Sequence, residues 1–427
     1  MNNQRPKKPT LTGQRIKVRK RDEKEKYDPS GFRDAIVQGL NAAGTDLAQV
    51  AKFLDTQGHK LDYRRYAEPL FDILIAGGIL APGGTLVEDG DKTKVSRSDV
   101  SLFAQEENVA SIRKYSHEVF IKVTRRYKYL ERLLEDEMKK ILMFLKGFTE
   151  SDRNKLAMLT GIFLSAGLIP ANCLASLFQE HLVKEGISVE FAIVLFRTWF
   201  LDKDINSIAA TLRKAELEKK LMHIFPANKR TDENFALHFE AAGLESLVNY
   251  QKALQQAGIK NEMVSELKEY IENERPLKEM EAYISETMLK HNIPEPEVAK
   301  LLWKTIMAAQ EWSKKDDQIT EQVTKHLKMY APLFEAFTTK ATSEISLILK
   351  IQEYCFDNMY LMKMFCKILM IFYQLDVLSE QVIVKWYDEL HLPKGKSIFI
   401  KQTTKMVEWL KNAEEEDSEE ESDEEEK

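Results

Sequence analysis

The chain has 427 residues, beyond the roughly 250–300 at which a single hydrophobic core stops growing, so two domains are expected. It is 44% apolar and 30% charged, yet no apolar run approaches the roughly 18 residues of a membrane span, and its polar, basic start is not a secretory signal. Its three cysteines, Cys173, Cys355 and Cys366, form neither a disulfide framework nor a zinc spacing, which excludes the disulfide-rich secreted class and points to a reducing, cytoplasmic setting.

Gly (17) and Pro (12) make up about 7% of the chain against a usual share of roughly 12%. Both residues interrupt helices, so their scarcity predicts an all-α fold rather than turn-dense β architecture. The formal charge of −6 is unevenly placed: +7 on residues 1–26, −10 on residues 414–427 and −3 on the 387 residues between. Neither end carries enough apolar surface to offset its ordering entropy. Residues 1–27 are therefore expected to be a disordered basic arm, and 414–427 a disordered acidic tail.

In chain order, apolar residues recur at three- and four-residue spacing from Phe32 onward, the period of amphipathic helices. Short helices are expected over 31–43, 46–56 and 62–76, then a loop through Ala81-Pro-Gly-Gly84. One long helix is expected from 111 to 146, with Tyr115, Val119, Val123, Tyr127, Leu130, Leu134, Met138, Ile141 and Leu145 as its buried stripe. Thr149-Glu-Ser-Asp152 has the form of a capping box. Further helices are expected to 242, and a polar helical stretch from 249 to 275 places the domain boundary at 247/248. Helical hairpins of 12–20 residues per helix then continue to 413. Such stacking predicts an α-solenoid of HEAT-like hairpins, with an N-terminal domain over 28–247 and a C-terminal one over 248–413.

Leu40, Leu47, Leu54 and Leu61 lie seven apart behind the basic arm, as in a basic leucine zipper. The companion heptad positions are Val37, Gly44, Ala51 and Gly58, and each glycine would cost about 1 kcal/mol inside such a helix. No charge pairs flank the seam. The leucines are expected instead to pack the cores of two short helices. Gly395-Lys-Ser397 resembles the end of a phosphate-binding loop, but Leu390 stands where a further glycine is needed. The eight histidines form no metal or catalytic pattern. No catalytic residue, metal or cofactor is expected.

The informative stretches lie at the C-terminus. In Asp376–Glu389, the residues Val382, Ile383, Trp386 and Tyr387, with Leu390 beyond, share a helical face, while Glu380, Asp388 and Glu389 point elsewhere. The second stretch, Met406–Asp417, runs into the acidic tail. Trp386 and Trp409 are expected to anchor the last helices in the core, and the acids around them to form a negative rim suited to a lysine-rich peptide.

These two blocks resemble the paired aromatic-acidic boxes that close the C-terminal HEAT domain of translation initiation factor five. Asp62–Gly78, Asn154–Gly161, Phe225–Lys229 and Lys350–Tyr354 are similar to the initiation-factor-five-mimic family, once named for the basic leucine zipper rejected above. The resemblance implies an N-terminal domain like the middle domain of initiation factor four-G, followed by the C-terminal HEAT domain. It also implies binding to initiation factors two and three in competition with factor five, restraining start-codon selection. The partner-binding residues it implies are Glu380, Trp386, Tyr387, Asp388 and Glu389 in the first box, and Glu408, Trp409, Glu414, Glu415, Glu416 and Asp417 in the second. Gln381 stands where related boxes commonly have an acid. With no Cys-x-x-Cys pairs, the chain is expected to lack the zinc-ribbon and GTPase-activating portion of factor five.

Ser418 and Ser422 sit in acidophilic kinase contexts, and two phosphates there would add about −3 to −4 charge. Two other roles remain open: modulation of nucleotide exchange, and weak, phosphate-driven RNA contact through the arm, whose aromatics are few, Tyr27 and Phe32 lying at its edge.

Overall fold

A computed structural model describes residues 27–88, 95–313, 315–390 and 392–425, with side chains at 316, 317, 390 and from 413 onward not among them. The basic arm, residues 1–26, lies outside the described residues. The chain forms two compact units, Met1–Lys252 and Ala253–Lys427.

In the first unit the helices are α1 (Pro29–Ala43), α2 (Leu47–Gln57), α3 (Ala67–Ala76), α4 (Val109–Tyr115), α5 (Lys122–Arg126), α6 (Leu130–Met143), α7 (Glu150–Ser165), α8 (Glu180–Lys184), α9 (Ile187–Phe200), α10 (Ile205–Lys214) and α11 (Asp232–Glu240). Short polar side chains start many of them. Asp28, Asp46, Asn108, Thr149, Asp204 and Thr231 each accept a hydrogen bond from a first-turn N–H that has no partner inside the helix. α1 packs on α3, α2 on α5 and α7 on α9. No strand occurs among the described residues, apart from an isolated antiparallel bridge between Leu80 and Leu86.

α12 (Glu245–Glu272) runs through the division between the units. Its Leu247 and Val248 belong to the first core, and its Met263 and Leu267 to the second. The division falls after Lys252, five residues beyond the expected 247/248 boundary.

The second unit contains α13 (Leu277–His291), α14 (Glu295–Ala308), α15 (Asp316–Glu335), α16 (Ala341–Asp357), α17 (Phe365–Gln374), α18 (Glu380–Lys385) and α19 (Lys396–Glu425). Odd helices pack on odd ones, α13 on α15, α15 on α17 and α17 on α19; even ones pack on even, α14 on α16 and α16 on α18. Two layers of alternate helices define an all-α solenoid.

Three expectations are corrected. The single helix over 111–146 carries a π-helical bulge at Ser116–Ile121 and is interrupted at Tyr127, whose backbone leaves the helical region at φ −118°. Its hydroxyl donates to the Asp55 carbonyl at 2.8 Å, and that tertiary bond competes with helix continuation. The expected stripe is nonetheless buried throughout, from Tyr115 to Leu145. Tyr27, assigned to the disordered arm, is ordered by stacking on Tyr66, with ring centroids 5.1 Å apart. The backbone of α19 continues to Glu425, past the start of the expected tail. Extending a helix already nucleated by its packed part needs no second nucleus, and glutamate is a good helix former.

Of the heptad leucines, Leu40 lies on α1, Leu47 and Leu54 on α2, and Leu61 in the turn beyond it, with Gly44 at a positive φ of 65° between the helices. Leu40 and Leu54 are fully buried, and Leu47 and Leu61 pack against the same core.

Candidate functional site

The two C-terminal blocks fall on α18 and α19. α19 buries Phe399, Thr403, Met406, Val407 and Leu410 at three- and four-residue spacing, which turns Glu408 and Trp409 to solvent. Gly395 precedes it at φ +69°, where a Cβ would collide with Phe356 and Phe399. The phosphate-loop-like Gly395-Lys-Ser397 is therefore a tight packing turn.

α18 starts at Ser379, whose N–H and hydroxyl both donate to one carboxylate oxygen of Glu344, at 2.5 and 2.7 Å. Glu344, at the start of α16, thus replaces a local cap. Val382 and Ile383 point into the core. The chain then widens into a π-helical turn, Trp386–Leu390. Trp386 is wholly enclosed, its ring 5.0 Å from Phe365, and its indole N–H donates to Gln352 Oε1 at 3.0 Å.

Three contacts join the boxes into one surface. The Tyr387 hydroxyl lies 3.2 Å from Thr404 Oγ1. Lys411 donates to both Asp388 oxygens, at 3.2 and 3.0 Å. Tyr373, on α17, donates to Glu380 Oε2 at 3.5 Å and meets the Trp409 ring edge-on, with centroids 5.9 Å apart. Sequence reasoning missed Tyr373, Gln352, Thr404 and Lys411. Their only signal was an ordinary helical register, with no charge or spacing to separate them from core and surface neighbours.

The expected site residues thus divide. Glu389, Glu408 and Trp409 are exposed. Trp409 is 53% exposed and is not a core anchor, because the packed stripe of α19 leaves it on the outer side. Trp386, at 0% exposure, presents no surface to a partner and instead holds the turn that bears Asp388 and Glu389. Asp388 is exposed but ion-paired to Lys411, and Glu380 is half-buried beside Tyr373, so neither is the open outward charge expected. Tyr387 is half-buried. The side chains of Glu414, Glu415, Glu416, Asp417, Ser418 and Ser422 lie outside the described residues.

Chemistry elsewhere is subdued. Burial pushes the Cys173 thiol up to about 12 and raises Cys355 and Cys366, so these thiols stay protonated at neutral pH. His326 donates a ring N–H to the Ile306 carbonyl at 2.9 Å, and burial lowers its basicity. Among the described residues no group of His, Cys, Asp or Glu gathers to hold a metal, and no helix is long and apolar enough to cross a membrane.

Residues 16–261 match the family described as the 5MP1/2 HEAT domain, and residues 343–420 match W2, described as eIF4-gamma/eIF5/eIF2-epsilon. The HEAT-like solenoid and the W2 match together define a regulatory, adaptor-type protein with a translation-initiation-related role. The chain is 54% identical over 416 residues to eIF5-mimic protein 2 of Homo sapiens and of Rattus norvegicus, covering 97% of this chain and 98% of each relative. It is 54% identical over 409 residues to eIF5-mimic protein 1 of Gallus gallus, covering 96% and 98%. The chain belongs to the eIF5-mimic protein family.

Proposed function

We propose that this protein binds initiation factors two and three in place of factor five and thereby restrains start-codon selection in the cytoplasm. The reading is supported chiefly by the joined surface of α18 and α19, which exposes Trp409, Glu389 and Glu408, with the acidic residues 414–425 following along the backbone of α19. The partner segment is lysine-rich, as in the beta subunit of factor two. Carboxylates attract it at long range and raise the association rate, while Trp409 supplies short-range contact.

Exposed ion pairs are each worth at most about 1 kcal/mol, so recognition is collective and steeply salt-dependent. Phosphorylation of Ser418 and Ser422 tightens it. Titrating the full chain with a lysine-rich peptide at two salt concentrations tests this, alongside a variant with neutral residues across 408–426. Affinity that ignores both salt and neutralisation refutes the reading. Competition with factor five is then measured directly by displacement from factor two.

A further inference from the structure

A second surface, on the first unit, has different chemistry. Tyr66, just before α3, is held between two aromatic rings. Phe32 of α1 stacks on one side at 4.9 Å and Tyr27 on the other at 5.1 Å, with interplanar angles of 14° and 8°. The Asp28 N–H donates to the Tyr66 hydroxyl at 3.1 Å, which fixes the order of the stack. The series runs from the core outward: Phe32 is 4% exposed and Tyr27 50%.

Two consecutive exposed arginines border the stack. The Arg65 guanidinium lies 5.7 Å from the Tyr27 ring and 5.6 Å from the Tyr66 ring. Arg64 turns to another ring, 4.7 Å above Tyr129, and makes no ion pair among the described residues. Tyr129 in turn neighbours Tyr127 at 6.0 Å, and beyond Tyr127 lies His59, which contacts the exposed Arg126 at 3.3 Å. Arg126 is paired with Asp55 at 3.1 Å and Lys122 with Glu118, but the two segments that build this face remain basic. Residues 59–66 carry Lys60, Arg64 and Arg65 against Asp62; residues 122–132 carry five Lys/Arg against Glu131. Tyr27, the outermost ring, follows directly on the 26-residue arm with its net charge of +7.

We infer that this face, built from Tyr27, Arg64, Arg65, Tyr66 and Tyr129, is a binding site for single-stranded RNA. A base continues the Phe32–Tyr66–Tyr27 stack, and Arg64 and Arg65 hold the phosphates. Aromatic platforms interleaved with cations suit an unpaired strand, because every base offers a π-face and every nucleotide a negative charge. An acidic peptide would use the cations but leave the ring stack idle. A duplex, whose bases are already stacked, would do the same.

The test uses the full chain and a fluorescently labelled, single-stranded uridine 20-mer, followed by anisotropy across a salt series. Tyr27→Ala is expected to weaken binding about 5–50-fold without altering the salt slope, as loss of a stacking ring does. Arg64→Ala with Arg65→Ala should weaken binding at least tenfold and reduce the log–log salt slope by about 1.4, or 0.7 per phosphate contact. Helical circular dichroism and melting temperature identify variants that retain the fold; Tyr27 and Arg64, both exposed, should do so. Unchanged binding by folded Tyr27→Ala overturns the stacking site. Equal affinity for polyglutamate of matched charge, or for a duplex of matched length, also overturns it, because either reduces the face to general anion attraction.

Discussion

The indole N–H of Trp386 donates to the side-chain oxygen of Gln352 at 3.0 Å, and both residues are fully enclosed. The Gln352 amide also donates to the Leu392 and Lys394 carbonyls, at 3.0 and 2.9 Å, while its oxygen accepts the Leu392 N–H at 3.1 Å. One buried amide thus ties α16 to the π-helical turn and to the strap that leads into α19. Because each atom of the amide is used, the clamp positions the acidic surface without touching anything outside the protein.

Gln352→Met, similar in volume, should therefore cost at least about 3 kcal/mol, since it strands several buried polar groups at once. Trp386→Phe keeps an aromatic ring near Phe365 and should cost about 1–3 kcal/mol. Urea denaturation measures both. At a temperature where Trp386→Phe is folded, its affinity for a lysine-rich peptide should stay within about twofold of the parent; a tenfold loss would give Trp386 a direct contact.

Trp409 behaves in the opposite way. Its ring touches Tyr373 from the solvent side, so Trp409→Ala should change stability by less than about 1 kcal/mol. The same change should weaken peptide binding about 10–30-fold, as loss of an aromatic anchor does. Calorimetric titration beside a thermal melt separates the two effects.

Lys411 sequesters Asp388. Lys411→Ala releases that carboxylate and removes a repelling cation, so affinity for a cationic segment should rise about two- to fivefold at low salt. The gain should vanish near 1 M salt, where the screening length is about 3 Å. A loss of affinity at low salt would show that the pair orders the surface rather than masking it.

Under α3 and α6, Glu137 and Asp72 are buried beside Lys140, whose ammonium lies 2.7 Å from Glu137 and 3.1 Å from Asp72. Burial, then the Asp72 charge, pushes the Glu137 carboxyl up to about 9, and it hydrogen-bonds to Asp72. The folded protein therefore keeps a proton that the unfolded chain releases near its ordinary value of 4.5. Stability from this group is full below about pH 4.5 and is lost progressively toward pH 9. Glu137→Gln offers an amide N–H in place of the carboxyl O–H donor and cannot ionise. Its stability relative to the parent should rise by more than about 1 kcal/mol from pH 5 to pH 9, and parallel pH profiles would refute this assignment.

Much of the fold was legible because burial periodicity is local. The stripe from Tyr115 to Leu145 could be read residue by residue, and the Thr149 cap formed as its sequence requires. The continuity of the helix bearing that stripe could not be read, because the break at Tyr127 depends on a carbonyl 72 residues away. The same holds for the RNA face. The arm looked poor in aromatics because Tyr66 and Tyr129, which complete the face, lie far along the chain.

By itself the sequence determined the all-α class, the helical hairpins, the charge asymmetry of the two ends and the location of both acidic blocks. Composition and short-range periodicity carry all four. Only the tertiary structure decided which tryptophan is enclosed and which is exposed, and which acid is open and which is bound to Lys411. Trp386 follows α18 in the π-helical turn and Trp409 lies on α19, both in amphipathic stretches of similar pattern. Their fates differ because α18 is covered by α16, whereas α19 meets its neighbours along the Phe399–Leu410 stripe and leaves its opposite side to water.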